Sequence, residues 1–330
     1  MTFRVAIVST GSVASNNYLP FLARQPDLTF SYFNRTRGKA EACAATFGGQ
    51  VADSIDDLMR ADPDVVFLLS SETARYELAR AILQHRPKRL FFEKPLVAMQ
   101  GQAQVTEDDF EKGRELLGLA RAGGTETAMI FNYRFFDQTL TALQQIEARG
   151  FGALTQVTGL VHYNCWSHCI DLVHLFAGPL TEINALAGPV VHRKAGYVVE
   201  DVAAAFSAGA ASGTIIGTAT IDRGFPLFEM LFSFEGGRLT FRGLDGDMEI
   251  LDYSGARHEL LALTREQSSR DQYRLSFDKA LDAYLTSVRA GSEPPVPGLA
   301  GLQELQFEAA LKRSIRLGRP VNVQDEFPLD

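Results

Sequence analysis

Apolar residues in the first part of the chain fall into short continuous runs separated by helical patterns. The apolar runs cover residues 3–8, 28–33, 63–69 and 90–92. Helical patterns occupy residues 38–47, 55–59 and 74–83 between and beyond them. Continuous apolar runs of this length are typical of strands buried on both faces. Their alternation with helices predicts right-handed crossovers and a parallel α/β sheet covered on both sides.

The pattern changes at Gly123 and Gly124, which follow a helix predicted to end at Arg121. We therefore predict a first domain over residues 1–122 and a second over 123–330. An apolar strand is predicted at 128–135 and a helix at 138–148. Strands with alternating faces are predicted at 156–163, 181–187, 200–208, 213–222, 227–235, 238–241 and 248–253.

Turn residues at 210–213 and 236–237 mark hairpins, so the second domain is predicted to be α+β with a large, mostly antiparallel sheet. Two later helices are indicated by apolar stripes. The stripes are Phe277, Leu281, Leu285 and Val288, and Leu302, Leu305, Ala309 and Ile315. These few helices leave one sheet face uncovered, which predicts a homodimer or homotetramer through that face.

Composition restricts the class of function. The 330 residues carry a net charge of -8, which argues against a protein that grips nucleic acid through its phosphates. No apolar run approaches the length of a membrane span, and the strand at 3–8 leaves no room for a signal sequence. Three cysteines are too few for a disulfide framework. We expect a cytoplasmic protein that binds small molecules.

The turn after the first strand has the layout of a dinucleotide-binding fingerprint, Gly-x-Gly-x-x-Gly/Ala, with Ser9 in place of the first glycine. Gly11 would let the backbone approach a pyrophosphate, and Ala14 would let the helix pack on the strand. Backbone N–H groups at the helix start supply an anion site. The cofactor-binding residues predicted here are Thr10, Gly11, Ser12 and Val13; the alternative is an ordinary strand-turn-helix.

The second strand ends in Asn34, Arg35 and Arg37, where a residue that reads the cofactor ribose should fall. An acidic residue there would favour NAD, and none is present. Arg35, Arg37 and Lys39 could neutralise a 2′-phosphate, so NADP is preferred over NAD. The alternative is a solvated turn that accepts either cofactor.

Glu93, Lys94 and Pro95 follow the apolar strand at 90–92. Since ligands bind at the carboxyl edge of a parallel sheet, Lys94 could exchange a proton with a substrate hydroxyl there. Ser70 follows the preceding strand and falls at the same edge as Gly11, where a nicotinamide ring could lie. The alternative for the Glu-Lys-Pro sequence is a solvated turn.

A helix is predicted from Asn164 to Gly178, with Asn164, His168 and Asp171 on one face. His168 is a candidate proton carrier, or else a core histidine satisfied by Asp171. Cys165, His168 and Cys169 lack a second ligand pair elsewhere, so no metal site is expected.

With these motifs, and with Asn132-Tyr133-Arg134-Phe135 and Gly318-Arg319-Pro320-Val321, the chain resembles the Gfo/Idh/MocA oxidoreductases. That family contains glucose-fructose oxidoreductase and inositol dehydrogenases. The resemblance implies a Rossmann domain, an α/β domain whose open sheet mediates oligomers, and hydride transfer between a nicotinamide and a hydroxyl-bearing carbon of a sugar, cyclitol or related polyol.

The resemblance also assigns roles to residues. Lys94 would share a proton with the reacting oxygen and His168 would be the second proton carrier. Asn164 would stand at the place of a family aspartate. Tyr133 would lie near the substrate, and Arg134 near the cofactor with Ser70 and Glu93.

Two departures concern the substrate pocket. Asn164 can orient His168 but holds no charge, so His168 should be less basic and Lys94 should carry more of the proton transfer. The link between 156 and 168 is also short and lacks a glycine run. Two other functions stay open: a nicotinamide-binding regulator without turnover, and a redox-assisted glycosidase or lyase that returns its cofactor unchanged.

Overall fold

The computed structural model describes residues 2–194, 197–219, 227–263 and 268–330. Its first sheet has six parallel strands in the order β3-β2-β1-β4-β5-β6. The strands are β1 Phe3–Val8, β2 Leu28–Phe33, β3 Gln50–Val51, β4 Val65–Leu68, β5 Arg89–Phe92 and β6 Glu126–Met129. This order is that of the Rossmann fold, whose ligand crevice lies where the winding reverses, here between β1 and β4.

Helices cover both faces of this sheet. A π-helical turn, Ala14–Tyr18, precedes the first α-helix. The α-helices are α1 Leu19–Leu22, α2 Arg37–Phe47, α3 Ile55–Arg60, α4 Glu72–Leu83 and α5 Glu107–Gly123. Helix α5 begins at a capping box of Thr106 and Asp109 and ends at Gly124, whose φ of 71° is left-handed.

The strand predicted at 128–135 is wrong in extent and in placement. Strand β6 ends at Met129 and pairs in parallel with β5, so it completes the first sheet beyond the boundary predicted at 122. Residues Asn132–Phe135 form a 3-10 turn. Ile130 and Phe131 are buried without being in a strand, because apolar character reports burial and not backbone conformation.

The second sheet has nine strands in the order β14-β13-β12-β11-β7-β10-β9-β8-β15. The strands are β7 Leu154–His162, β8 Leu180–Lys194, β9 Tyr197–Ala208, β10 Ala211–Thr218, β11 Phe228–Phe234, β12 Gly237–Arg242, β13 Asp247–Asp252, β14 Arg257–Leu261 and β15 Val321–Asn322. Within this second sheet, β7 and β10 form the only parallel pair among the described strands, and the predicted fold class is confirmed. Strands β3, β14 and β15 were not predicted, and positions 220–222 of the predicted strand 213–222 lie outside the described residues.

The remaining helices are α6 Asp137–Arg149, α7 Trp166–Ala177, α8 Ser269–Ala290, α9 Gly298–Leu317 and α10 Val323–Glu326. Helix α8 packs on the first sheet, where the Tyr284 ring contacts Phe67 and Phe91 at centroid distances of 5.8 and 4.7 Å. The last third of the chain therefore closes the core of the first domain. Within the described ranges, no helix combines the length and apolar character that crossing a membrane requires.

Candidate active site

The turn after β1 keeps the backbone of the fingerprint although its first glycine is replaced. Ser9 has a φ of 73°, a left-handed conformation that glycine adopts most easily. A Cβ built on Gly11 would meet no atom within 4 Å, so open space lies over this residue. The loop therefore fits a pyrophosphate, which needs close approach to the backbone at a helix start. Ser12 and Val13 begin the helical residues that follow, and their side chains are exposed.

Asn34 ties the end of β2 to this loop. Its Oδ1 accepts a hydrogen bond of 3.1 Å from the backbone N–H of Thr10, and its Nδ2 donates to the carbonyl of Thr36. Arg35 and Arg37 are both exposed. Arg37 pairs with Glu41 and Asp53, so two carboxylates already balance its charge.

Lys94 lies two residues beyond the end of β5, next to buried Glu93. Its Nζ donates a hydrogen bond of 3.0 Å to Oε1 of Gln102, and the peptide bond to Pro95 is cis. The Glu93 carboxylate accepts a hydrogen bond from the hydroxyl of Tyr18 in the π-helical turn. Burial raises the pKa of Glu93, while Lys94 and Tyr18 act to lower it. The glycine-loop helix and the Lys94 segment thus meet through a buried hydrogen bond.

Ser70 follows β4 at the same edge and is 5% exposed, and its Oγ has no hydrogen-bond partner among the described residues. A buried hydroxyl without a partner is uncommon and is satisfied when a polar ligand binds beside it. This hydroxyl adds to the fit between the edge of the sheet and a dinucleotide.

His168 lies in the first turn of α7 and is 2% exposed. Its ring stacks on Tyr133 with centroids 3.8 Å apart and an angle of 6° between the planes. Burial, together with the positive charge of Lys94, lowers the pKa of His168 well below its usual value. The imidazole is therefore neutral at pH 7, and its Nδ1 has no partner among the described residues.

The carboxylate of Asp171 bonds to Arg134 and not to His168, which contradicts the interpretation of His168 as a core histidine satisfied by Asp171. The Asp171 carboxylate accepts three hydrogen bonds of 2.6–3.1 Å from Nε and one Nη of Arg134. The Arg134 guanidinium, predicted to lie near the cofactor, is thus held by a carboxylate that is 1% exposed. This pair joins the 3-10 turn carrying Tyr133 to the helix carrying His168.

Asn164 lies before α7, in the 3-10 turn Tyr163–Cys165, so the predicted helix start at Asn164 is wrong. The reason is local, because the side chain of His162 caps this turn: its Nδ1 accepts the backbone N–H of Asn164 at 3.1 Å. Asn164 and His168 therefore do not lie on one continuous α-helix. Cys165 accepts a hydrogen bond of 3.4 Å from the Tyr133 hydroxyl.

The sequence interpretation missed two kinds of buried charge. Arg75 on α4 is 1% exposed, and Glu304 and Glu308 on α9 are 1% and 5% exposed. Burial and Glu308 raise the pKa of Glu304 well above its usual value, against the charge of Lys94. Two glutamates four residues apart inside an apolar helical stripe were the available signal. The described residues contain no group of three His, Cys, Asp or Glu side chains that could hold a metal ion.

Lys94 lies at the edge of the first sheet, and its positive charge acts on the neutral imidazole of His168 on α7. An ammonium can donate a proton to a carbonyl oxygen, the neutral amine can accept the proton of a hydroxyl, and a neutral imidazole can hydrogen-bond the same oxygen. The glycine loop and the Ser70 hydroxyl lie at the same edge, on the first domain.

Comparisons with known proteins concern the first domain and the overall fold. Residues 3–119 match the model of a family described as an oxidoreductase family with an NAD-binding Rossmann fold. No curated protein sequence matches the chain.

Solved structures match over almost the whole chain. An oxidoreductase from Agrobacterium radiobacter, in complex with NAD+, L-tartaric acid and magnesium, has a TM-score of 0.81 at 13% identity, covering 99% of this chain and 100% of its own. A UDP-N-acetylglucosamine 3-dehydrogenase from Acidithiobacillus ferrooxidans has a TM-score of 0.76 at 16% identity, covering 96% and 99%. The WlbA dehydrogenase from Bordetella pertussis, in complex with NADH and UDP-GlcNAcA, has 0.74 at 18% identity, covering 98% and 99%. At these identities the likeness establishes the two-domain fold.

Proposed function

We propose that the chain is an NAD(P)-dependent oxidoreductase of the Gfo/Idh/MocA family and that it moves a hydride between a nicotinamide and a hydroxyl-bearing carbon of a sugar, cyclitol or related polyol; the match of residues 3–119 to an NAD-binding oxidoreductase family supports this. Dehydrogenases of nucleotide sugars are among the proteins with this fold. The observation that carries the proposal is the position of Lys94, which follows β5 at the edge that also holds the glycine loop and Ser70.

Lys94 and His168 have different roles in the proposed reaction. The Lys94 ammonium donates a proton to the oxygen of a ketone as the carbon is reduced, and in the reverse direction the neutral Lys94 amine accepts the proton of the alcohol as it is oxidised. The nicotinamide, when bound, supplies or accepts the hydride. Neutral His168 holds the same oxygen through a hydrogen bond, and its stacking on Tyr133 fixes the plane of the ring. Burial excludes water from this contact.

Purified protein, offered NADPH or NADH with a panel of sugar-like ketones, should lose the absorbance of the reduced cofactor. Lys94→Ala should lower turnover by roughly two to four decades, because general acid–base catalysis contributes about that much. Lys88→Ala is the matched control, because Lys88 lies just before β5, is exposed and pairs with Asp64. An unchanged rate in Lys94→Ala would refute the proton role, and cofactor-bound protein silent with every substrate would favour a regulator.

We propose NADP as the preferred cofactor, with Arg35 as the residue that binds its 2′-phosphate. Arg35 is exposed and has no ion pair within the described residues, whereas Arg37 is balanced by Glu41 and Asp53. A hydrogen bond to a charged group is worth roughly 1.5–3 kcal/mol. Arg35→Ala should therefore weaken NADP binding about 10- to 100-fold and leave NAD binding unchanged, as measured by calorimetry. Equal losses for both cofactors would refute this assignment.

We also propose that the open face of the second sheet joins copies of the chain into a homodimer or homotetramer. Leu186, Val198 and Ile216 on β8, β9 and β10 are 73%, 42% and 44% exposed. Apolar side chains on adjacent strands favour burial against a partner. Leu186→Glu should lower the mass measured by light scattering, whereas the control Leu119→Glu on α5 should not.

The three described cysteines are free and buried, which supports a cytoplasmic location.

A further inference from the structure

Arg75 is among the largest fully buried side chains of the described residues. It lies in the first half of α4. Arginine is almost never buried without a partner, because the guanidinium loses its hydration. Its guanidinium must therefore have polar partners inside the protein.

The Arg75 guanidinium donates one hydrogen bond to the carbonyl of Pro95 and another, of 2.5 Å, to the carbonyl of Ser70. Ser70 follows β4, and Pro95 follows Lys94 beyond β5. One planar fork of donors therefore ties together the chain segments that leave two adjacent strands.

Glu72 acts on the same segment from the first turn of α4. Its Oε1 accepts the backbone N–H of Gln102 at 3.3 Å, and Oε1 of Gln102 accepts from Nζ of Lys94 at 3.0 Å. Arg75 thus holds the backbone next to Lys94, while Glu72 holds the residue that contacts the ammonium. Through these contacts, helix α4 restrains both the backbone next to Lys94 and the partner of its ammonium group.

The charges of Glu93 and Glu72 favour the charged form of the Arg75 guanidinium, but neither carboxylate forms a salt bridge with it within the described residues. Its hydrogen-bond partners are the two backbone carbonyls. The contribution of Arg75 is therefore geometric as well as electrostatic, and a lysine there would keep the charge but would lack the rigid planar fork of donors.

We propose that Arg75 and Glu72 are positioning residues that act through the 94–102 segment to hold the Lys94 ammonium where the reacting oxygen binds. This inference rests on the proposed proton role of Lys94. Misplacement of a reacting group by about 1 Å can cost roughly 100-fold in rate. A merely structural role would instead lower stability and leave the segment's local order unchanged relative to the rest of the sheet.

The test is hydrogen exchange on the full-length protein without added cofactor, comparing wild type with Arg75→Lys and Glu72→Ala. We expect amides at 101–104 to exchange about tenfold faster in both variants, while amides of β1 keep their wild-type rates. Arg80→Lys is the matched control, because Arg80 lies on the same helix but is exposed and pairs with Glu115. Unchanged exchange at 101–104 in both variants would overturn the proposal.

Kinetics on the substrate identified from the ketone panel supply the second readout. Both variants should lower kcat about 10- to 100-fold with the dissociation constant of NADP changed less than threefold. If Arg75→Lys does not fold, Glu72→Ala decides alone, since Glu72 is only half-buried. If Lys94→Ala abolishes turnover while Glu72→Ala keeps the wild-type rate, the positioning role is refuted and the proton role of Lys94 stands. If Lys94→Ala also keeps full turnover, the proposed proton role fails instead.

Discussion

Asp171→Asn tests the buried ion pair that joins the two halves of the candidate site. The substitution keeps the shape of the side chain but leaves the Arg134 guanidinium opposite a neutral amide. Breaking a buried pair by changing one partner costs roughly 3–5 kcal/mol. Since the Arg134 side chain is 16% exposed, water can replace part of the lost interaction, and we expect the lower end, about 3 kcal/mol.

The chain provides its own probe for this measurement. Its single tryptophan, Trp166, is the first residue of α7 and is 3% exposed, so its fluorescence reports on the helix that carries Asp171. Urea denaturation followed by this fluorescence should show the loss in free energy of unfolding. Glu111→Gln is the matched control, because Glu111 pairs with Arg114 at the surface and should cost less than about 0.5 kcal/mol.

A double-mutant cycle separates the pair from other effects of the substitution. Arg134→Met alone leaves the Asp171 carboxylate buried and unpaired, so it should also be strongly destabilising. The combined variant should lose less than the sum of the two single variants, with a coupling energy above about 1 kcal/mol. Additive losses, or a loss below about 1 kcal/mol for Asp171→Asn, would refute the interpretation of this pair.

Two further predictions concern α9. Burial raises the pKa of Glu308 to about 7 from an ordinary 4.5, so its stabilising effect is complete below pH 4.5 and is lost as pH rises through 7. Glu308→Gln should therefore reduce the fall in the free energy of unfolding between pH 5 and pH 8; denaturation at these two pH values measures it, and an unaltered pH dependence contradicts it. Gly301→Ala would place a Cβ against the sulfur of Met129 and 3.1 Å from the Cβ of Leu96, so overpacking should cost about 1–2 kcal/mol. Gly118→Ala on α5 meets nothing within 4 Å and should instead stabilise by about 0.5–1 kcal/mol in the same denaturation assay; two losses of equal size would contradict this account.

The parallel sheet could be predicted from sequence because its strands are buried on both faces and stand out as apolar runs. The turn after β1 was also recognisable, since only one glycine of the fingerprint was replaced. Strand β6 was misplaced because Ile130 and Phe131 continue its apolar character after the backbone has left the sheet. Sequence reports burial more directly than it reports where a strand ends.

Contacts between distant segments could not be predicted in the same way. Arg75 and Pro95 are 20 residues apart and Arg134 and Asp171 are 37 apart, and no local spacing links either pair. His168 could be identified as a candidate from its neighbours, but its stacking partner Tyr133 lies on another element. The chemistry-bearing residues were thus easier to find than the residues that hold them in place.

The return of α8 to the first sheet affects how the chain acquires its structure during synthesis. The rings of Phe67 and Phe91 also contact Tyr18, but the part of their surface that Tyr284 covers stays exposed until Tyr284 has been made. Burying a whole phenylalanine ring is worth roughly 2–3 kcal/mol. A ribosome adds roughly 5–20 residues per second, so about 8–30 s pass between synthesis of the last strand of the amino-terminal sheet and synthesis of Tyr284. During that interval the nascent chain exposes aromatic surface to which chaperones can bind. A fragment that ends at residue 150 should therefore aggregate.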